Sequence, residues 1–265
     1  MTWVVLPGLA LTPEDFAPLA RALGTASAPG APARTDDVRV LDAWRVPVTG
    51  PVDVVRAGLG VDGSEPVDLV GHSVGGLTAI EWALLHPGEV RRLVLLDPTS
   101  PWEVHLPALH TGTVAARAGT AVAGALAAGL AVTGPALRRA GVRVVTRAPD
   151  RLPHDLARAR YGSRDAWTLL AHQWFASWEQ APRVRALLDD GHRLPAGAEP
   201  LLVTGLRASA RFLRAQRELS DRLAVPRVGL AGEGHLYPLT RPDAVARLAT
   251  DLAPDAGGAT ARPPG

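Results

Sequence analysis

Three side chains in this sequence could act together on a carbonyl group: Ser73 in Gly71-His72-Ser73-Val74-Gly75, Asp97 in Leu96-Asp97-Pro98, and His235 in Gly232-Glu233-Gly234-His235. A serine hydroxyl attacks at neutral pH when an imidazole takes its proton, and the imidazole needs a carboxylate to fix its tautomer. Such a set performs acyl transfer through a covalent intermediate. Other chemistries find less support. The chain has no cysteine, which excludes disulfides, thiol nucleophiles and thiolate metal sites. It has no H-E-x-x-H, and His105 and His110 stand five apart in a proline-bearing stretch, a poor spacing for shared ligation on a helix. No metal and no cofactor is expected. His72 is expected to support the turn beside Ser73, and His86 to end a helix.

The elements that must position these groups can be read from pattern. The serine motif needs a strand before it and a helix after it, and EPVDLV and LTAIEWALLHP meet that need. Six short Val- and Leu-rich runs, TWVVLPG, DVRVLDA, EPVDLVG, VRRLVLLD, PLLVTG and PRVGLAG, show little alternation, as parallel strands covered on both faces do. Helical stretches lie between them, the first opened by Thr12, Pro13, Glu14 and Asp15. The alternation predicts an α/β fold with a doubly wound, mostly parallel sheet. Residues 1–99 and 199–253 form its two parts, and residues 100–198 are expected to be a helical cap inserted over one sheet edge. Within that insertion, residues 118–132 read as a packed helix, being too short and too rich in Ala and Gly for a membrane span. VRVV at 142–145 is its only strand candidate, and Arg138, Arg139, Arg143 and Arg147 are expected on a solvated face. The loop GTASAPGAPART is expected to be mobile, and the tail 254–265, with little to bury, disordered.

In sheets of this kind chemistry gathers at the carboxyl ends of the strands. Pro7-Gly8-Leu9, the G-x-S-x-G motif, Asp97 and His235 all fall at such ends. With these motifs the sequence resembles the α/β-hydrolase family over most of residues 2–252, and Ser73, Asp97 and His235 follow that family's order of nucleophile, acid and histidine. The resemblance implies a nucleophilic Ser73, a proton-carrying His235, and an oxyanion hole from the N–H groups of Leu9 and Val74. It implies a serine hydrolase of the esterase or lipase kind, acting on a small, largely apolar acyl substrate. One departure stands out. The family's usual acid follows the strand here written PLLVTG, in a G-x-x-D pattern; this chain reads Gly205-Leu206-Arg207-Ala208, with no carboxylate until Glu218. A minority of the family carries the acid one strand earlier in a Leu-Asp-Pro context, which points to Asp97. An acid from the insertion, Asp150 or Asp155, or no acid at all, are the remaining options, while Glu233 and Asp221 are poorly placed.

Trp102, Trp174 and Trp178 are the candidates for substrate contact, with Trp44 a further contributor from below; a plain helix-packing stripe, with Trp167, is the competing reading. The same framework also admits a thioesterase serving a biosynthetic partner, or a non-catalytic ligand-binding descendant. Composition narrows the setting. With 265 residues, 47% apolar and 20% charged, the chain has the make-up of a soluble globular protein. A net charge of +2, carried entirely by arginine among the strong bases, gives little reason to expect a nucleic acid or membrane surface as partner. The opening MTWVVLPGLALTPEDF lacks a basic region followed by a long apolar core, so a cytoplasmic setting is expected.

Overall fold

A computed structural model describes residues 2–26, 38–102, 114–195 and 197–251, apart from the side chains of 114–126 and 128. The expectations for the tail, for His105 and His110, and for most of the loop after residue 26 lie outside the described residues. Gly24 to Ala26, counted above with that loop, instead close the first helix.

The strands β1 (Thr2–Leu6), β2 (Val38–Val40), β3 (Val67–His72), β4 (Val90–Leu96), β5 (Glu199–Gly205) and β6 (Arg227–Leu230) form one sheet in the order β2-β1-β3-β4-β5-β6. Every neighbouring pair is parallel. The helices are α1 (Pro13–Ala26), α2 (Val52–Gly58), α3 (Val74–Leu85), α4 (Val114–Thr146), α5 (His154–Tyr161), α6 (Arg164–Asp189), α7 (Ala210–Leu223), α8 (Tyr237–Thr240) and α9 (Pro242–Thr250). Side chains alternate between the two faces of a strand, so β1 sends Trp3 and Val5 one way and Val4 and Leu6 the other. Trp3 and Val5 join a core with Phe16, Leu19 and Leu23 of α1 and Val245 of α9. Val4 and Leu6 join a second core with Leu77, Ile80 and Trp82 of α3 and Leu219 of α7. Both faces are therefore covered, which is why the strands lack a polar side.

The chain leaves β1 toward β2 and returns past it to β3, so the strand order reverses between β1 and β3. The crevice beyond their carboxyl ends is the usual place for a ligand. Gly8, Leu9 and Ser73 stand there.

Helices α4, α5 and α6 are inserted between β4 and β5. Val142–Val145, considered above for a strand, continue α4 instead. Arg138, Val142 and Thr146 recur every four residues on the inward side, with Arg138 and Val142 buried, and this helical period outweighs the strand preference of valine. Arg138 itself corrects a second expectation, because it is not solvated. Its guanidinium is buried, 2.5 Å from Asp15 of α1 and 3.1 Å from Asp150, and it donates to the Tyr161 hydroxyl at 2.5 Å. Burial disfavours the cation, but the hydrogen bonds to Asp15 and Asp150 outweigh that and hold it charged. Polar groups also fasten α6. Gln173 accepts from Val48 N–H at 3.0 Å and donates to the Ala43 carbonyl at 3.1 Å, and Gln180 donates to Glu81 at 2.7 Å. Among the described residues, no helix is long and apolar enough to cross a membrane.

Candidate active site

β3 ends at His72 and α3 begins at Val74, so Ser73 alone makes the turn. Its backbone is held at φ 55°, a left-handed conformation that costs a non-glycine residue about 1–3 kcal/mol. Three backbone bonds hold it there: Ser73 N–H to Leu96 O at 3.0 Å, and Gly76 and Thr99 N–H to Ser73 O, each at 2.9 Å. The flanking glycines let the backbones cross. A Cβ on Gly71 would stand 2.6 Å from Gly75 O, and one on Gly75 would stand 2.5 Å from Pro7 O. The N–H of Val74, at the first position of α3, has no partner within the helix, and the helix dipole favours negative charge beside it.

His235 arrives on the loop between β6 and α8, and Asp97 on the loop after β4. Asp97 Oδ2 lies 3.3 Å from His235 Nδ1. A carboxylate can only accept, so this contact puts the imidazole proton on Nδ1 and leaves Nε2 bare, the form a general base needs. Asp97 is anchored in turn: its Oδ1 accepts from Gly205 N–H at 3.1 Å and its own N–H reaches Val203 O at 2.9 Å. Its side chain is 1% exposed against 40% for His235. Burial pushes the Asp97 carboxyl above its ordinary range, opposed by the His235 contact and the Gly205 N–H.

His72 lies buried beneath this pair. Its ring centroid is 4.8 Å from that of His235, and its Nε2 donates to the His235 carbonyl at 2.9 Å. Among the described residues its Nδ1 has no hydrogen-bond partner. Burial, with His235 adding to it, drives the His72 pKa down to about 3, so the ring is neutral at any ordinary pH. The expectation that His72 supports the turn takes a specific form here: it ties the strand before Ser73 to the loop of His235.

Ser73, Asp97 and His235 border one cavity of about 200 Å³, together with Leu9 and Val74. Trp174 and Trp178 of α6 complete it, with ring centroids 6.0 Å apart. Trp102 does not join them. Its backbone N–H donates back to Ser100 Oγ at 3.2 Å, its ring lies under Arg222 at 4.5 Å, and it borders a different pocket with Leu188 and Leu223. Trp44 packs edge-on against Tyr161 away from the cavity, and Trp167 donates its indole N–H to the Tyr161 carbonyl. Asp150 is committed to Arg138, and Glu233 to Arg241 at 2.8 Å. Phe212, in the first turn of α7, was not anticipated; it borders the cavity with its ring centroid 5.9 Å from that of His235. Its only sequence signal is its place just after β5. Among the described residues no group of three or more His, Asp or Glu is arranged to hold a metal.

Comparison with known proteins bears on the fold. A family model described as alpha/beta hydrolase fold matches residues 52–126, the segment carrying the serine turn. A search of the curated proteins returns no match. Among solved structures, an α/β hydrolase fold protein from Burkholderia ambifaria superposes with a TM-score of 0.67 at 19% identity, over 94% of this chain and 90% of that one. A haloalkane dehalogenase variant from Bradyrhizobium elkanii gives 0.60 at 16% identity, over 95% and 88%. The enol-lactonase of Burkholderia xenovorans gives 0.55 at 19% identity, over 95% and 90%. At such identities the likeness is one of fold.

Proposed function

The chain has the α/β-hydrolase fold, and on that premise we propose that it is a serine hydrolase cleaving a carboxylic ester, or a related acyl bond, through an acyl-enzyme on Ser73. The observation that carries this reading is the 3.3 Å contact of His235 Nδ1 with buried Asp97, in the cavity that Ser73 also borders. In the proposed reaction His235 Nε2 takes the Ser73 proton as Oγ attacks the carbonyl carbon. The N–H groups of Leu9 and Val74 receive the oxyanion, each such donor contributing about 3–4 kcal/mol. His235 then protonates the departing oxygen, and a water deprotonated by the same nitrogen releases the acid from Ser73. Asp97 orients the ring and stabilises its charged form at both stages. The helices α4 to α6 act as a cap, with Trp174 and Trp178 excluding water and offering an apolar wall to the acyl group.

Serine as the nucleophile favours acyl substrates over the halides and epoxides that the fold also accommodates. Attack on a carbon bearing a halide would leave an ether on Ser73, which activated water does not cleave; attack on an acyl carbon leaves an ester, which it does. The test is a fluorophosphonate probe with mapping of the labelled peptide. One equivalent of label on Ser73, absent in Ser73→Ala, is expected. A folded sample that takes no label would overturn the proposal.

A further inference from the structure

His235 and Phe212 also border a second, more open groove of about 510 Å³ that Ser73 does not reach. Its other walls include Val145 at the end of α4, Arg147 just beyond it, and Arg207 and Ser209 after β5. Among the described residues two arginines line this groove and no carboxylate-bearing residue does. The Arg207 guanidinium is pinned: its Nη2 donates to the Val145 carbonyl, and a Cβ on Gly234 would stand 3.0 Å from that nitrogen. It is thus fixed beside the residue that precedes His235. One of its five N–H groups is used by Val145, which leaves the remainder for other acceptors.

Among the described residues, the acids of the neighbouring segments, Glu233 and Asp150, are directed elsewhere. Glu233, two residues before His235, pairs with Arg241 at 2.8 Å and with Thr240 at 3.1 Å. Asp150 is held by Arg138. Among the described residues neither Arg147 nor Arg207 takes part in an ion pair, whereas Arg138, Arg160, Arg183, Arg222 and Arg241 are among the arginines that do. Arg147, expected from sequence on a solvated face, is exposed but stands at the rim of this groove.

The position of the groove assigns the part of the substrate it would take. In acyl transfer the histidine protonates the departing oxygen, so the leaving group lies on the histidine side, away from the oxyanion donors. Building on the hydrolase reading above, we propose that the groove receives the leaving group and that this group carries a carboxylate, held between Arg147 and Arg207. The substrate class is then an ester whose alcohol component is a hydroxy acid. Guanidinium forks suit a planar carboxylate, and Val145 and Phe212 supply apolar contact for the carbon skeleton between it and the ester oxygen.

The test compares kcat/KM for 4-(butyryloxy)phenylacetate with that for its primary amide, a neutral partner whose phenol is nearly equally acidic. The carboxylate is expected to be preferred at least about tenfold, as a charge-assisted contact implies. Raising ionic strength should shrink the preference. Arg147→Gln and Arg207→Gln should each erode it, chiefly through KM, and the double variant should bring the ratio near one. Arg147 is exposed, so its variant keeps the measurement informative even if Arg207→Gln folds poorly. A ratio near one in wild-type protein whose Ser73 takes the fluorophosphonate label would overturn the anionic groove and leave the hydrolase reading standing. A preference that persists in the double variant would also overturn it. A preference for 4-nitrophenyl hemiglutarate over the butyrate, without one in the first pair, would move the anion to the acyl side and reject the leaving-group assignment. Absence of label on Ser73 would remove the hydrolase reading and this inference with it.

Discussion

Two buried polar centres in this protein use the same acid and put it to opposite ends. In one, Asp15 and Asp150 close around Arg138, and all three side chains are at most 5% exposed. In the other, Asp97 is as deeply buried, but its partner is an imidazole 40% open to the cavity. The permanent cation of the first centre holds Asp150 below its ordinary pKa despite burial, whereas Asp97, lacking one, is pushed above it. The first centre adds no backbone strain at its three charged residues; the second includes two residues, Ser73 and Asp97, at positive φ. The difference separates a fastening from the proposed reactive site: a satisfied ion cluster lowers the energy of one arrangement, while an under-compensated, strained one suits groups that must change charge. The two centres also touch the same loop. Tyr161, bound to Arg138, donates to the Ala10 carbonyl at 2.5 Å, one residue from Leu9 of the proposed oxyanion hole.

The largest effect should come from removing the nucleophile. Ser73→Ala is expected to cut kcat by about six orders of magnitude with thermal stability unchanged or slightly raised, measured by ester turnover and a melting curve. A comparable loss of stability would mean that Ser73 belongs with the fastening after all. Asp97→Asn comes next, at about four orders of magnitude in kcat. The amide oxygen can still accept from Gly205, so the fold should hold, while the amide N–H group facing His235 Nδ1 imposes the wrong tautomer. A loss under about tenfold would separate Asp97 from the reaction. On the other side of the comparison, Arg138→Met leaves two buried carboxylates unpaired and should cost about 3–5 kcal/mol in a denaturant titration. Its folded fraction should keep kcat within about tenfold, because Arg138 contacts none of Ser73, Asp97 and His235.

The last effect is confined to acid pH and concerns His72, which packs beneath His235 but carries no charge in either centre. Its pKa falls from 6.5 to about 3 on folding, so between those pH values the unfolded chain binds a proton that the native ring refuses. Its contribution to stability is complete above about pH 6.5 and is lost as pH falls toward 3, with a slope of about 1.4 kcal/mol per unit. His72→Gln should flatten that part of the stability profile, measured as denaturant midpoints across pH. An unchanged slope would show that the ring is protonated in the native state.

What was legible in the sequence is what depends on neighbours along the chain. All six strands coincide with the Val- and Leu-rich runs, because period and turn chemistry are written in residue type within a few positions. The tight turn at Ser73 followed from its glycines for the same reason. The lack of an acid after PLLVTG was legible too, but whether Asp97 could reach His235 was not. That depended on β4 lying beside β5, so that the Asp97 side chain and backbone N–H meet Gly205 and Val203, and on the loop after β6 folding back over both. The insertion was the least legible part. Arg138 had nothing local to say that Asp15, 123 positions away, would bury it. Among the tryptophans, only the docking of α6 over the crevice brought Trp174 and Trp178 to Ser73, while the turn at Ser100 took Trp102 to Arg222. Local propensity determined the elements and the serine turn; the pairing of charges and rings between distant segments was decided by tertiary packing, since those contacts form only once the helices have docked.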